Sequence, residues 1–390
     1  MSAFAFHTTP QIIVRPGASG EVADIAGARL GSSVLFVTDP GIRKAGLDKA
    51  AQASLKSAGH AVTVFDAVEA DPSLATLNQA VEAARACSAS GVVALGGGSS
   101  LDIAKLAALL AGSGEDIDDA WGVGNARGPR LPLVLVPTTA GTGSEATPVS
   151  IITVGGEEKR GVSSPVILPD TAILDAELTV SLPAAATAAT GIDAMVHAIE
   201  AYASRSANNN PMSRMLATQA LQLLGANIHA AVFEPDDIEA RSAMLLGSML
   251  AGMAFANSPV AAVHALAYPI GGTFHVPHGL SNALVLSEVL RFNAAEVENG
   301  CYRDYAALST HAFADLEGEA GSQAQCAAFI DRLAQLSADL GLPTRLRDVG
   351  IGEEALAKMA SDAMLQTRLL VNNPRPLSED DALAIYRAAW

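Results

Sequence analysis

Two short stretches carry side chains whose types and spacing point to metal chemistry. In the first, Asp193 and His197 stand four residues apart within Ile192-Asp193-Ala-Met-Val-His197-Ala-Ile-Glu-Ala-Tyr202. On a helix that interval puts a carboxylate and an imidazole on one face. The second stretch, His264 to Gly279, holds three of the chain's eight histidines (His264, His275 and His278) with two prolines and three glycines. Such punctuation excludes one unbroken helix over its whole length. Three neutral imidazoles and one carboxylate, from His197, His264, His278 and Asp193, make a suitable ligand set for Fe²⁺ or Zn²⁺. Pro277 and Gly279 flank His278 and would fix its backbone. Taken singly, each residue has a plainer role: Asp193, following Gly191 at what reads as a helix start, complements a helix dipole, and His197 is a satisfied core histidine. Taken jointly, the two stretches are expected to converge on one divalent metal.

Three strand ends in the first half carry residues suited to a nucleotide. Asp39 follows the apolar run Ser33–Thr38; an acid there suits adenine-ribose hydroxyls and repels a 2′-phosphate, although Asp39 before Pro40 is also an ordinary turn former. Gly96-Gly97-Gly98-Ser99 separates a strand from a helix. Glycines there let the backbone approach a pyrophosphate, toward which the helix points its N-terminal amides. Asp102 and Lys105, one turn on, serve packing and charge balance as readily as cofactor contact. Pro137-Thr138-Thr139-Ala140-Gly141-Thr142-Gly143-Ser144-Glu145 is dense in hydroxyls and small residues at a third strand end, which favours phosphate or ribose binding. Lys159 lies in an exposed, charged run from Glu157 to Arg160 and could also reach a cofactor.

The elements that must position these groups alternate regularly up to about residue 180. Strands are expected at 12–15, 33–38, 61–65, 91–95, 133–136 and 167–175. Helices are expected at 19–30 with Ser19 as N-cap, and at 46–58, 74–87 and 101–111. A hairpin is expected where 149–154 runs into Gly155-Gly156. This alternation implies a mostly parallel sheet covered by helices on both faces, with ligands beyond the carboxyl ends of the strands. Strand signals then vanish. Segments 190–205, 211–231, 236–256, 258–269, 279–290, 322–340, 352–362 and 377–389 read as helices by 3.6-residue periodicity. The expected organisation is an α/β dinucleotide-binding domain over 1–180 and an all-α metal and substrate domain over 181–390. Phe255, Val260, Leu266 and Tyr268 are candidates to line a small, mostly apolar substrate pocket.

Bulk properties narrow the function classes. At 390 residues two domains are the default. Hydrophobic residues make up 50% and charged residues 17%, far from a disordered composition. A formal net charge of -17 argues against a nucleic-acid binder and against an electrostatic membrane anchor. The three cysteines, Cys87, Cys301 and Cys326, are odd in number and far apart. They read as reduced thiols rather than a disulfide framework. No leader and no transmembrane run is evident, so a cytoplasmic enzyme is expected.

Gly96-Gly-Gly-Ser99, Pro137 to Glu145, Gly191-Ile-Asp-Ala-Met-Val-His-Ala-Ile-Glu200, and His264 through Pro269, Gly272, Pro277, His278 and Gly279 stand in register. Together they resemble the iron-containing (group III, metal-dependent) alcohol dehydrogenases over nearly the whole chain. The resemblance implies a Rossmann-like N-terminal domain facing a helical metal domain across a cleft, the dehydroquinate synthase-like architecture. It implies Asp193, His197, His264 and His278 as ligands of Fe²⁺, with Zn²⁺ as the other candidate. It also implies NAD contacts at Asp39, Gly97, Gly98, Ser99, Thr138, Thr139, Thr142 and Lys159, with NADP disfavoured by Asp39. A small alcohol or aldehyde is the implied substrate and a homodimer or higher homo-oligomer the implied assembly. One departure stands out: many members carry a second histidine four residues after the first, where this chain has Tyr268. Tyr268 and His275 are accordingly the candidate groups for substrate positioning and proton transfer. Glycerol dehydrogenase, hydroxyacid–oxoacid transhydrogenase and maleylacetate reductase are the competing readings within the superfamily; the intact ligand set speaks against the last. A non-catalytic nucleotide sensor is the competitor from another class.

Overall fold

The computed structural model describes residues 3–155, 158–316 and 321–390. It divides into two compact units. One comprises His7–Thr139 with Gly143–Ser181, the other Leu182–Trp390 with Ala140–Thr142 and a short N-terminal segment.

The first unit runs β1 (Gln11–Val14), α1 (Val22–Leu30), β2 (Ser33–Val37), α2 (Pro40–Ala45), α3 (Lys49–Ser57), β3 (Ala61–Phe65), α4 (Leu74–Ala86), β4 (Gly91–Gly96), α5 (Gly98–Ser113), α6 (Ile117–Ala120), β5 (Gly122–Val123), β6 (Leu133–Pro137), β7 (Val149–Val154), β8 (Glu158–Ser163) and β9 (Thr171–Leu174). Six strands form one parallel sheet in the order β1-β9-β6-β4-β2-β3, and β5, β8 and β7 form a small second sheet. The central strands are apolar on both faces because helices cover both. Leu35, Val37, Val92, Ala94, Leu133 and Leu135 pack toward α4 and α5. The alternate residues Val34, Phe36, Val93, Leu95, Val134 and Val136 pack toward α1 and α3. The β7–β8 hairpin forms as expected from Val149; Gly156 and Glu157 of its expected turn region lie outside the described residues.

The second unit contains α7 (Ala184–Ala203), α8 (Pro211–Phe233), α9 (Ile238–Asn257), α10 (Ala262–Phe274), α11 (His278–Ala295), α12 (Cys301–Ala312), α13 (Ser322–Asp339), α14 (Leu356–Ala363), α15 (Thr367–Leu370) and α16 (Glu379–Ala389). Among the described residues it holds no strand. No single helix among them is long and apolar enough to cross a membrane.

Several local expectations are corrected. Ser19 does not cap a helix; a 3-10 turn, Ala18–Glu21, precedes α1, and the Ser19 hydroxyl and amide both donate to Asp175. Gly46 does not open a helix but ends α2, in the left-handed conformation at φ 74°. The helix expected to stop at Pro269 continues to Phe274. Proline removes one intrahelical hydrogen bond there. The bond lost is the one to the Ala265 carbonyl; in the same turn the Leu266 carbonyl takes the buried Tyr386 hydroxyl at 2.6 Å, which ties this part of α10 to α16. The break in the second histidine stretch therefore lies at His275–Pro277. α12 was not expected at all.

Candidate metal centre

The centre is built on α7. That helix begins at Ala184, so Asp193 sits mid-helix rather than at the N-terminus, and the dipole-complementing role does not apply to it. A carboxylate 2% exposed in the middle of an apolar helix needs a partner. His197, one turn on, presents Nε2 at 4.0 Å from Asp193 Oδ1. Its ring lies between Phe255 of α9, with centroids 4.5 Å apart, and His264 of α10, with centroids 4.7 Å apart. The opposite nitrogen, Nδ1, donates to the Gly141 carbonyl at 3.2 Å. Only glycine permits this approach, because a Cβ at Gly141 would stand 2.8 Å from that of Thr190.

α10 and α11 complete the set. His264 Nε2 lies 4.0 Å and His278 Nε2 3.7 Å from Asp193 Oδ1. His278 opens α11 directly after the break, and the glycine behind it lets the helix dock: a Cβ at Gly279 would meet the Ala189 carbonyl oxygen at 2.4 Å. Asn282, one turn after His278, donates from Nδ2 to Asp193 Oδ1 at 2.6 Å.

The four donor atoms lie within 4.8 Å of one another. Ligands around a tetrahedral ion at about 2.1 Å stand roughly 3.4 Å apart, so the cluster has the scale of one first-row divalent site. The donor chemistry also fits. Burial presses His197 down to about 3, against the pull of Asp193, so its ring is neutral and free to ligate. Burial would raise the Asp193 carboxyl, but the facing imidazoles and the Asn282 amide outweigh it and hold the group below the usual carboxylate range. Beside the cluster, Asn282 Oδ1 is buried without a hydrogen-bond partner, an orphaned acceptor that suits a cationic neighbourhood better than an apolar one.

Tyr268, one turn after His264, has its ring centroid 6.2 Å from that of His278, and its hydroxyl accepts from Arg368 Nη2 at 3.4 Å. His275 caps the end of α10 in the left-handed region, φ 56°, with its side chain exposed. Phe255 stacks against the ligand set. Val260 and Leu266 are core residues; Leu266 is fully buried and offers its carbonyl to Tyr386, so it lines no pocket.

In the first unit, Asp39, Gly97 and Thr138 stand at the carboxyl ends of the adjacent strands β2, β4 and β6. Asp39 Oδ1 caps α2 by accepting from the Ile42 amide at 3.0 Å. Its Oδ2 faces Gly96, where a Cβ would stand 3.2 Å from it. Gly97 is the N-cap of α5 and supplies no side-chain cap, so Gly98 and Ser99 present uncapped first-turn amides of the kind that bind phosphate. Thr139 lies beside Gly97, and the Thr138 amide donates to the Gly96 carbonyl at 3.0 Å. Thr142 belongs to the helical unit. Lys159 is engaged elsewhere, with Asp71 at 2.6 Å and the Thr153 hydroxyl at 2.9 Å.

Lys105 is fully buried beneath this region. Its Nζ donates to Ser144 Oγ at 2.7 Å, Thr147 Oγ1 at 3.2 Å and the Val149 carbonyl at 2.7 Å. Asp102 accepts from Ser144 Oγ at 2.6 Å and from the Ile151 amide at 2.8 Å. These bonds pin the segment after β6 to α5. Burial lowers Lys105 to about 8 and raises Glu145 to about 7. Glu200, Asn282 and Arg368 were not singled out from sequence. The first two had a signal in their spacing, seven residues after Asp193 and four after His278, while Arg368 had none.

The chain matches the family described as iron-containing alcohol dehydrogenase over residues 9–176, and the C-terminal part of the Fe-containing alcohol dehydrogenase family over 187–390. It is 42% identical over 369 residues to long-chain-alcohol dehydrogenase 1 of Geobacillus thermodenitrificans strain NG80-2, covering 93% of this chain and 91% of that one. A solved 1,3-propanediol oxidoreductase superposes with a TM-score of 0.94 at 33% identity, covering 100% of both chains. Sulfoacetaldehyde reductase from Bifidobacterium kashiwanohense, solved with NAD+, superposes with a TM-score of 0.86 at 28% identity, covering 100% of this chain and 99% of that one.

Proposed function

Because the chain belongs to the iron-containing alcohol dehydrogenase family, we propose that Asp193, His197, His264 and His278 hold the metal of its alcohol/aldehyde oxidoreductase activity. The protein is a metal-dependent oxidoreductase of that class. The single observation that carries the assignment is the convergence of four donor atoms, three on buried residues and one on the exposed His278, within 4.8 Å of one another. When bound, a divalent ion supplies a Lewis acid that lowers the pKa of an alcohol, and a nicotinamide supplies or takes the hydride.

The chain's own residues do the rest. Phe255 and the Gly141 carbonyl hold the His197 ring in plane. Asn282 donates to Asp193 Oδ1 and fixes the carboxylate in place. Tyr268, oriented by Arg368, positions the substrate hydroxyl. His275, exposed at the end of α10, carries the proton to solvent. Asp39, Gly97, Gly98, Ser99, Thr138, Thr139 and Thr142 form the nucleotide set, with Asp39 favouring NAD over NADP by charge repulsion; Lys159 would join it only by exchanging Asp71 for the cofactor. In this division of labour residues 1–180 bind the nucleotide and 181–390 the metal and substrate. Free thiols at Cys87, Cys301 and Cys326 fit a cytoplasmic setting. The exposed Met215 and Phe233 of α8 favour a homo-oligomer, which light scattering would size.

Metal analysis beside a panel of alcohols, aldehydes and oxoacids with NAD and NADP tests the reading. Replacing His264 by Ala is expected to abolish turnover while NAD affinity stays within about threefold; equal loss of both would sink it. A second reading, a substrate with an anionic tail such as the sulfonate named for one relative, is favoured by the Arg368 guanidinium at Tyr268. Arg368→Leu should then lower kcat/KM for sulfonated or carboxylated aldehydes and spare neutral ones.

A further inference from the structure

We propose that Glu200 is the positioning residue of the metal centre: one buried carboxylate clamps both the His264 ring and the start of the helix that carries it. The inference rests on the reading that Asp193, His197, His264 and His278 hold a metal. Asp193, His197 and Glu200 recur at intervals of four and three on α7, which places them along one helix face. Glu200 is 5% exposed, and a carboxylate taken that far out of water is tolerated only when its oxygens are engaged.

Both oxygens are engaged, and each contact has a separate consequence. Oε2 accepts from His264 Nδ1 at 2.6 Å. The proton must therefore sit on Nδ1, which leaves the Nε2 lone pair facing Asp193, and the anionic acceptor makes the ring a stronger donor. Oε1 accepts from the Val263 amide at 2.7 Å. Val263 is the second residue of α10, whose N-cap, Ala261, provides no side-chain cap. Glu200 thus supplies from α7 the cap and the negative charge that the local sequence of α10 lacks.

His197 provides the contrast, since its Nδ1 meets a neutral backbone carbonyl at the longer distance of 3.2 Å. Of these two ligands, His264 is the one made electron-rich by the protein. Glu200 and Asp193 together also bring two negative charges to the place where a divalent ion would bring two positive ones, so the loaded centre is neutral inside an apolar helical unit.

The test measures Zn²⁺ partition between the loaded full-length protein and a chromophoric chelator, for wild type, Glu200→Gln, Glu200→Asp and His264→Ala. Glutamine keeps an oxygen for the Val263 amide but turns an N–H donor toward His264 Nδ1, so it should weaken Zn²⁺ binding about 10–100-fold while the metal-free melting temperature holds. Aspartate keeps the charge and should recover part of the affinity, and the visible spectrum of the Co²⁺-substituted glutamine variant should shift. Wild-type affinity in Glu200→Gln, or equal loss in both variants together with a lowered metal-free melting temperature, overturns the proposal in favour of a packing role. If His264→Ala binds Zn²⁺ as tightly as wild type, the metal-site reading itself fails.

Discussion

The two units bury charge in opposite ways. Beneath the proposed nucleotide set, the cation is a side chain: Lys105 sits among Ser144, Thr147, the Val149 carbonyl and the carboxylate of Asp102, 3.7 Å from its Nζ. At the proposed metal centre, the ligand atoms of Asp193 and three imidazoles turn toward one another. One neutral donor, Asn282 Nδ2, lies among them, at 2.6 Å from Asp193 Oδ1; a shared cation would engage all four at once. The first cluster is a finished piece of scaffold that stiffens a loop. The second is an arrangement of donors whose energetics depend on an added ion. Buried charge alone therefore does not mark a reactive site; the direction of the lone pairs does.

The sharpest way to break this comparison is Asp193→Asn, which removes the one anion among the four donors. Turnover is expected to fall roughly 10⁴-fold, about 5 kcal/mol in transition-state terms, with metal lost from the protein on analysis; a variant that keeps both its metal and its rate would refute the assignment. Lys105→Met should act on the other unit, destabilising the fold by roughly 3–5 kcal/mol because Asp102 loses its buried partner. Denaturant titration reads this loss, and NAD affinity should fall while metal content stays unchanged.

Glu145 sharpens the contrast through pH. Its folded pKa of about 7 lies above the ordinary 4.5, chiefly through burial, so the folded chain holds this proton more tightly than the unfolded one. The resulting stabilisation is complete below pH 4.5 and is lost as pH rises through about 7. Its size is at most about 3 kcal/mol, at about 1.4 kcal/mol per unit. Urea melts of wild type and Glu145→Gln across that window should diverge accordingly, and parallel curves would count against a protonated buried Glu145. Gly279→Ala pushes a methyl against the Ala189 carbonyl; overpacking of this kind costs about 1–3 kcal/mol and should weaken metal retention more than NAD binding. Tyr268→Phe is expected to be mildest, lowering kcat about tenfold or less, with no change in metal content.

Much of this was readable because it is local. The β–α alternation up to about residue 180 follows from period-two and period-3.6 patterns, and the strand ends at Asp39, Gly96 and Pro137 follow from the apolar runs before them. The misreadings have physical causes. Pro269 signals a helix end, yet α10 runs through it to Phe274, held in the core by contacts such as the Tyr386 hydroxyl on the Leu266 carbonyl, more than a hundred residues away in sequence. Ser19 has the right chemistry for a cap, yet the carboxylate of Asp175 from the far end of the first unit claims it. α12 was missed outright, its buried Tyr302 and Tyr305 and its Cys301 lying in a segment without flanking cap residues.

By itself the sequence determined which side chains were available for chemistry: the Asp193–His197 interval, the histidines around the Gly and Pro breaks, and the glycines and threonines at strand ends. Helix geometry turns short intervals into shared faces without any knowledge of the rest of the chain. Only the tertiary structure decided what stands behind those side chains. Glu200 reaches His264 across 64 residues, Asn282 reaches Asp193 across 89, and Gly141 reaches His197 across 56. The first two pairings depend on how closely α7, α10 and α11 dock. That approach is set by the small residues between them, and no local pattern of hydrophobicity encodes it.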